Sequence, residues 1–191
     1  MSNFRRRLMM NFEKKYTPVK YLESTGTQYI DTGVVPYKNQ KYDIKFSMVE
    51  INKNQVIFGS RSSGDYSNSK NQIYLNVNVA NKVLLYLGTK NNNLFNRVIV
   101  NKEYSINNSI NELENDFDDK ATESLYLFAM NNQKNIVANA SARLYYFKIY
   151  NNDILVRDYV PALDKQMIPC LYDKVEDKFY YNEGSGEFLY E

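Results

Sequence analysis

The stretch "KYDIKFSMVEI", residues 41 to 51, constrains the fold of this chain more than any other. Tyr42, Ile44, Phe46 and Met48 alternate in it with Asp43, Lys45 and Ser47. A period of two buries one face of a strand and wets the other, and it suits no helix. Further short apolar runs follow at 19–23, 27–31, 55–59, 72–79, 83–88, 97–100, 124–130, 142–150, 154–160, 170–174, 178–182 and 187–190, with Gly, Asn, Asp or Ser between them. No longer segment carries a 3.6 period, although 110–120 has room for a turn of helix. Many short strands with turn-rich spacers predict an all-β sandwich or barrel. A length of 191 residues suits a single core.

Four polar spacers are expected as loops: 59–71, 88–96, 107–123 and 131–135. Loops of such length in a compact domain are commonly where function resides. The domain proper is expected over 18–191, preceded by a tail over 1–17. No stretch approaches the roughly 20 apolar residues of a membrane span. The basic start has only Leu8 to Met10 where a secretory signal needs roughly 7 to 15 apolar residues. The chain is therefore expected to be soluble and to lack a Sec signal.

Composition excludes several chemistries. There is no His, so a Ser-His-Asp triad, a Cys-His pair and a His-ligated zinc site are all impossible. The single Cys170 excludes an internal disulfide. A net charge of +2 gives no global attraction for nucleic acid or an anionic membrane. With 18 Tyr, 10 Phe and abundant Asn, the apolar mass suffices for a core, but much of it carries a hydroxyl that needs a partner.

Tyr and Asn concentrated on loops are the materials of a sugar site: Tyr rings pack against C–H faces while amides and charged groups bond hydroxyls. The candidates are Arg61, Asp65, Tyr66, Asn68 and Asn71 after Gly59, with Asn92 and Asn93 nearby. A solvated loop and strand-borne tyrosines are the plainer account. The acidic run "NELENDFDD", 111–119, offers Asp116, Asp118 and Asp119 as calcium ligands, but its spacing fits no EF-hand, so a charged loop is expected and no cofactor is assigned. Glu112, Glu114 and Asp116 also have the i, i+2, i+4 spacing of a paired-carboxylate glycosidase site. Their neighbours read as loop, so the chain is expected not to be an enzyme. At the start, Arg5, Arg6 and Arg7 precede Leu8, Met9, Met10 and Phe12, a basic and then apolar peptide. It reads as an anchor, with guanidinium groups on partner carboxylates and the apolar residues in a groove.

Two stretches carry a resemblance. "YLESTGTQYIDTG", 21–33, and "ARLYYFKIYNNDILVRDYVPALD" with "CLYDKVEDKFYYNEGSGEF", 142–164 and 170–188, resemble concanavalin A-like, laminin-G-like jelly-roll domains of phage, prophage and gut-bacterial proteins. The resemblance implies a two-sheet antiparallel jelly-roll sandwich whose first and last strands are neighbours. It carries over no calcium or sugar site. Cys170 stands where the family often has Gly, and Tyr159 where Phe is usual.

These features lead to the expectation of a non-enzymatic virion structural or adhesion module, held in a multi-subunit assembly by its tail and presenting a lectin-like surface to a host glycan. The alternatives are a bacterial surface or secreted carbohydrate-binding domain, and a virion decoration with no ligand. Finally, in "LYYFKIYNNDILVRDYVP" strict alternation places Tyr145, Phe147 and Ile149 on one face and Leu144, Tyr146, Lys148 and Tyr150 on the other. That run is therefore expected to be sheet frame, with Arg157 and Asp158 pointing to opposite faces and each seeking a partner on another strand.

Overall fold

A computed structural model describes residues 15–63, 69–80, 82–94, 98–99, 103–110, 113 and 115–191, the side chains of 93, 94, 98 and 99 excepted. Among these residues the chain is all β. The strands are β1 Thr17–Pro18, β2 Leu22–Thr25, β3 Ile30–Asp31, β4 Gln40–Met48, β5 Gln55–Arg61 and β6 Gln72–Val77. They continue as β7 Val83–Leu87, β8 Lys90–Leu94, β9 Val98–Ile99, β10 Glu103–Ser109, β11 Tyr126–Leu127 and β12 Met130–Asn132. The last are β13 Asn135–Val137, β14 Ser141–Asn151, β15 Ile154–Leu163, β16 Pro169–Asp173, β17 Lys178–Tyr180 and β18 Leu189–Tyr190.

They form two sheets. The larger runs β17-β16-β15-β14-β4-β10-β9, with β1 on β15 and with β2, paired to β18, on β14. The smaller runs β13-β12-β5-β6-β7-β8, with β11 and β3 attached beside β5. All pairings are antiparallel except β12 with β5. This is the expected jelly-roll sandwich; its last strand pairs over two residues with β2, Leu189 facing Glu23 and Tyr190 facing Leu22, while the first strand, β1, pairs with β15 instead.

The core lies between the sheets and is threaded by aromatic rings. Phe58 of the small sheet meets Tyr42 at 5.3 Å and Phe147 at 5.2 Å, and Phe147 continues to Tyr159 at 6.1 Å. Fully burying side chains of this kind contributes about 1.5–3 kcal/mol each. The hydroxyl of Tyr159 donates to the carbonyl of Thr32 at 3.1 Å, so a tyrosine is accommodated there without an orphaned polar group. Cys170 is fully buried beside Ala162 and Tyr172, on the outer side of the large sheet, where Tyr16 lies over Tyr172 at 4.3 Å.

Two glycines permit close approach. At Gly59 a Cβ would lie 2.5 Å from Cβ of Tyr74, and at Gly184 it would run into the carbonyl of Thr27. The second contact lets the C-terminal turn close over residues 27–29, where Glu183 N–H donates to Tyr29 C=O at 2.9 Å.

Several expectations are corrected. Most of 88–96 is not loop: Lys90–Leu94 pairs residue for residue with β7 through a two-residue turn at Gly88 and Thr89, Gly88 having φ +59°. Three consecutive asparagines have low strand propensity, but the ladder offered by β7 overrides it at this edge. The start of 107–123 is strand as well, since β10 pairs with β4 over seven residues. The run 124–130 splits into two short strands, and 131–135 is the turn of the β12–β13 hairpin with its flanks. Residue 110 is in a single helical turn position.

The most consequential correction concerns 144–150. Leu144 pairs with Phe46 and Tyr146 with Lys45, so Tyr145 is an extra residue in β14. This β-bulge resets the alternation. Leu144, Phe147 and Ile149 all face the core at 1%, 0% and 0% exposure, while Tyr145, Tyr146, Lys148 and Tyr150 are half-buried on the other side. The tyrosines are not divided between two surfaces. The paired register places β2 beside the first half of β14 and β15 beside the second, and the bulge falls where one neighbour gives way to the other.

Candidate functional site

The loop candidates are not gathered into one site among the described residues. Arg61 ends β5 at 3% exposure, and its Nε donates to Asn132 at 2.8 Å. It serves the β5–β12 contact instead of standing out in solvent. The Asn71 amide donates to Ser63 Oγ at 3.0 Å. Asn92 is half-buried on β8 opposite Leu85, and Asn93 pairs through its backbone with Leu84. Asp65, Tyr66 and Asn68 lie outside the described residues, as do Arg5, Arg6, Arg7, Leu8, Met9, Met10 and Phe12.

The acidic candidates disperse. Asp116 accepts from Thr89 N–H at 2.6 Å and from its hydroxyl at 2.5 Å, Asp118 pairs with Lys120 at 3.4 Å, and Asp119 accepts from Lys38 N–H at 2.6 Å. Among the described residues no group of three His, Cys, Asp or Glu could hold a metal ion. Asp116 sits in irregular chain, so the strand face that the i, i+2, i+4 spacing requires is absent around it; Glu112 and Glu114 lie outside the described residues.

The outer face of the large sheet gathers what the loops do not. Strands β14, β4 and β10 lie side by side there. Outward from β14 come Arg143, Tyr145, Tyr146, Lys148 and Tyr150; from β4, Lys41, Asp43, Lys45 and Ser47; from β10, Glu103 and Ser105. Local chemistry explains the set. On β4 the polar half of the period-two pattern must face away from the core, and on β14 the bulge puts two adjacent tyrosines on that same side. At a rise of about 3.3 Å per residue, Tyr145 to Tyr150 spans roughly 16 Å along the strand.

The rings are fixed by polar neighbours. Tyr146 donates to Asp43 Oδ1 at 3.1 Å, and the Tyr145 hydroxyl lies 3.3 Å from Ser47 Oγ. Lys45 stands over the Tyr145 ring at 5.0 Å, Lys148 over Tyr146 at 5.6 Å and Lys41 over Tyr150 at 5.6 Å. Tyr21 meets Tyr145 edge-on at 5.9 Å and carries Arg143 over its ring at 4.7 Å. Contacts of this kind hold both ring and cation in place.

Three of the strip's cations are paired with acids. Lys45 bonds Glu103 at 2.7 Å, Arg143 Nε bonds Glu23 at 2.6 Å and Lys20 bonds Glu191 at 3.2 Å. The hydrogen bond from Lys45 draws Glu103 below its ordinary carboxylate range. Burial, then the Asp43 carboxylate, pushes the Tyr146 phenol up to about 12. A cleft of about 340 Å³ opens at one end of the strip between Lys20, Tyr21, Glu103, Arg143, Tyr145 and Glu191. Chemically this is a tyrosine platform with a dense fringe of donors and acceptors.

A second concavity, of about 500 Å³, lies by Asp31, Arg157, Tyr181 and Glu183. Its Arg157 is committed to Glu176 at 2.5 Å and Asp173 at 3.5 Å, while Asp158 pairs with Lys174 at 3.3 Å. Arg157 thus finds an acid on the neighbouring strand β16, as expected, whereas the partner of Asp158 lies in the turn that follows it.

The half of the platform carried by "KYDIKFS" was legible as a polar face; the half carried by β14 was not, because nothing in the sequence marks Tyr145 as a bulge. On the same outer face Tyr16 lies on Tyr172 of β16 and Lys15 pairs with Asp177, so the described chain begins over β16, two strands from β14.

No family model matches the chain, and no curated protein does. Among solved structures it is similar to NanB with Optactamide, at TM-score 0.49 and 11% identity over 91% of this chain and 39% of that one. It is similar also to a point mutant of NanB sialidase from Streptococcus pneumoniae, at TM-score 0.48 and 9% identity over 91% and 39%. The chain thus spans about two-fifths of the length of either structure.

Proposed function

We propose that this chain is a non-catalytic carbohydrate-binding module that lays a short oligosaccharide across Tyr145, Tyr146 and Tyr150 on the outer face of the large sheet. The observation that carries the reading is the bulge at Tyr145, which converts a split set of aromatics into one surface. Flat C–H faces of sugar rings pack on tyrosines, and the hydroxyls find Ser47, Asp43, Glu103 and Lys45 within the same strip. Of the candidates in 59–71, by contrast, Arg61 is not on a loop at all but ends β5 inside the frame.

In the same reading the module works within a larger assembly, a virion or a bacterial surface, held by the basic and apolar peptide around Arg5 to Phe12. Support for the anchor comes from its composition, three guanidinium groups followed by four apolar residues within Arg5 to Phe12. The resemblance of the two end motifs to phage and prophage jelly rolls supports the virion setting.

The experiment is a glycan array read with the wild-type chain, Tyr145→Ala with Tyr146→Ala, and Asn71→Ala. The reading expects hits that vanish in the double variant and persist in Asn71→Ala. Loss of the hits in Asn71→Ala alone would return the site to the loop, and an array with no hits would leave the decoration reading in its place.

A further inference from the structure

The two ends of the proposed platform are unlike, and a preference among sugars follows from the end at Tyr150; this step rests on that proposal. We infer that the Tyr150 end is a subsite for an anionic substituent of the sugar, a carboxylate or a sulfate, received by Lys41 and Lys148.

Register brings the two lysines together. Lys41 of β4 lies directly across from Tyr150, and Lys148 precedes Tyr150 by two residues on the same side of β14. They are diagonal neighbours on adjacent strands, roughly 7–8 Å apart at the backbone, and side chains of this length reach a common group from there.

Their partners set them apart from the other cations of the face. Lys45 is bonded to Glu103 at 2.7 Å, Lys20 to Glu191 at 3.2 Å and Arg143, through Nε, to Glu23 at 2.6 Å. Lys20 and Arg143 also share their cleft with Glu103 and Glu191, so an anion entering there meets carboxylates as well as cations. Lys41 and Lys148 have ring contacts alone, over Tyr150 and Tyr146, each at 5.6 Å. The acids beside them are engaged elsewhere. Asp43, across from Lys148 on β4, accepts from Tyr146, and Asp158, across from it on β15, is paired with Lys174. Lys41, Lys148 and Lys174 thus stand against Asp43 and Asp158, which leaves an excess of positive charge at this end.

A cation over a half-exposed ring is held weakly. A sugar that stacks on Tyr146 or Tyr150 competes for the ring face that the ammonium covers, and the displaced ammonium still has three donors to satisfy. A hydroxyl can accept from it. A carboxylate or sulfate also neutralises it, and no existing ion pair has to break.

The test is titration calorimetry with hexamers of one hexose, of the corresponding hexuronate and of the sulfated hexose. At roughly 50 mM salt the acidic hexamers are expected to bind about fivefold tighter or more than the neutral one, as two exposed charge pairs allow. That advantage is expected to shrink towards parity by roughly 500 mM. Replacing both lysines, Lys41→Gln with Lys148→Gln, is expected to bring the ratio of acidic to neutral affinity to about one, with the near-ultraviolet dichroism of the packed core unchanged. An advantage for only one of the acidic hexamers supports the inference and identifies the group. Equal affinities at low salt, or an advantage that survives the double variant and disappears in Arg143→Gln, overturn the inference while the platform reading stands. Binding of no hexamer overturns both.

Discussion

Deleting Tyr145 separates a bulged β14 from a regular one. In the structure Tyr145 is the surplus residue between Leu144↔Phe46 and Tyr146↔Lys45. Its removal leaves Arg143 out, Leu144 in, Tyr146 out, Phe147 in, Lys148 out and Ile149 in, so all three buried side chains keep their places. What is lost is one half-buried tyrosine and the local geometry at the handover from β2 to β15, a cost of about 1–2 kcal/mol on the scale of ordinary single changes. Were the strand regular, the same deletion would turn Phe147 and Ile149 outward or Leu144 and Ala142 with them. Exposing Phe147 and Ile149 alone costs about 3–6 kcal/mol at 1.5–3 for each. For a domain of this size each kcal/mol moves Tm by about 2–4 °C. Thermal unfolding followed by near-ultraviolet dichroism, which reports the packed Tyr42, Phe58, Phe147 cluster, should therefore show a cooperative transition lowered by less than about 8 °C. Deleting Lys148 instead, which does rephase Ile149, should be far more damaging. A Tyr145 deletion that fails to fold, or that is no milder than the Lys148 deletion, would refute the bulge and with it the shared tyrosine face.

Other consequences can be measured directly. Gly59→Ala places a Cβ 2.5 Å from that of Tyr74 and 3.1 Å from the Ile73 carbonyl oxygen, neither of which is a flexible chain end, and should cost at least about 2 kcal/mol in denaturant unfolding. Tyr159→Phe removes the donor to Thr32 C=O inside the core and should cost about 1–3 kcal/mol; a neutral result would mean that carbonyl is satisfied some other way. Glu103 has a folded-state pKa below its ordinary value of 4.5, so its pairing with Lys45 stabilises the fold above that value and the benefit is lost as pH falls through the lowered one. The stability difference between wild type and Glu103→Gln should accordingly be constant near neutrality and shrink on acidification, and a difference that grows in acid contradicts the pairing. Burial pushes the Cys170 thiol up to about 12, so thiol reagents should label it only after unfolding.

Much of the architecture was legible because its signals are local. The alternation in Gln40–Met48 gives a strand with one buried face, and the end motifs give neighbouring termini, both present as β4 and as the β2–β18 pair. What stayed illegible depends on partners distant in sequence. Lys90–Leu94 is a strand because β7 offers it a ladder, and Glu103–Ser109 because β4 does, neither of which propensity registers. Tyr145 is out of phase because β14 must pair with β2, β15 and β4 together, a three-way constraint invisible in "LYYFKIY". The candidate site inherits that blind spot. Its polar half on β4 could be read from the sequence, its aromatic half could not, and Arg61 looked exposed only because its partner Asn132 lies 71 residues away.

The central claim is that tyrosines of β14 form the binding surface, and ring resonances report it most directly. With tyrosine rings labelled with carbon-13, titration with an oligosaccharide selected on the array should shift Tyr145, Tyr146 and Tyr150, assigned by single Phe substitutions, and leave the stacked pair Tyr74 and Tyr86 of the small sheet unmoved. Shifts confined to Tyr74 and Tyr86, or to Tyr66, with the three β14 rings silent, would contradict the account.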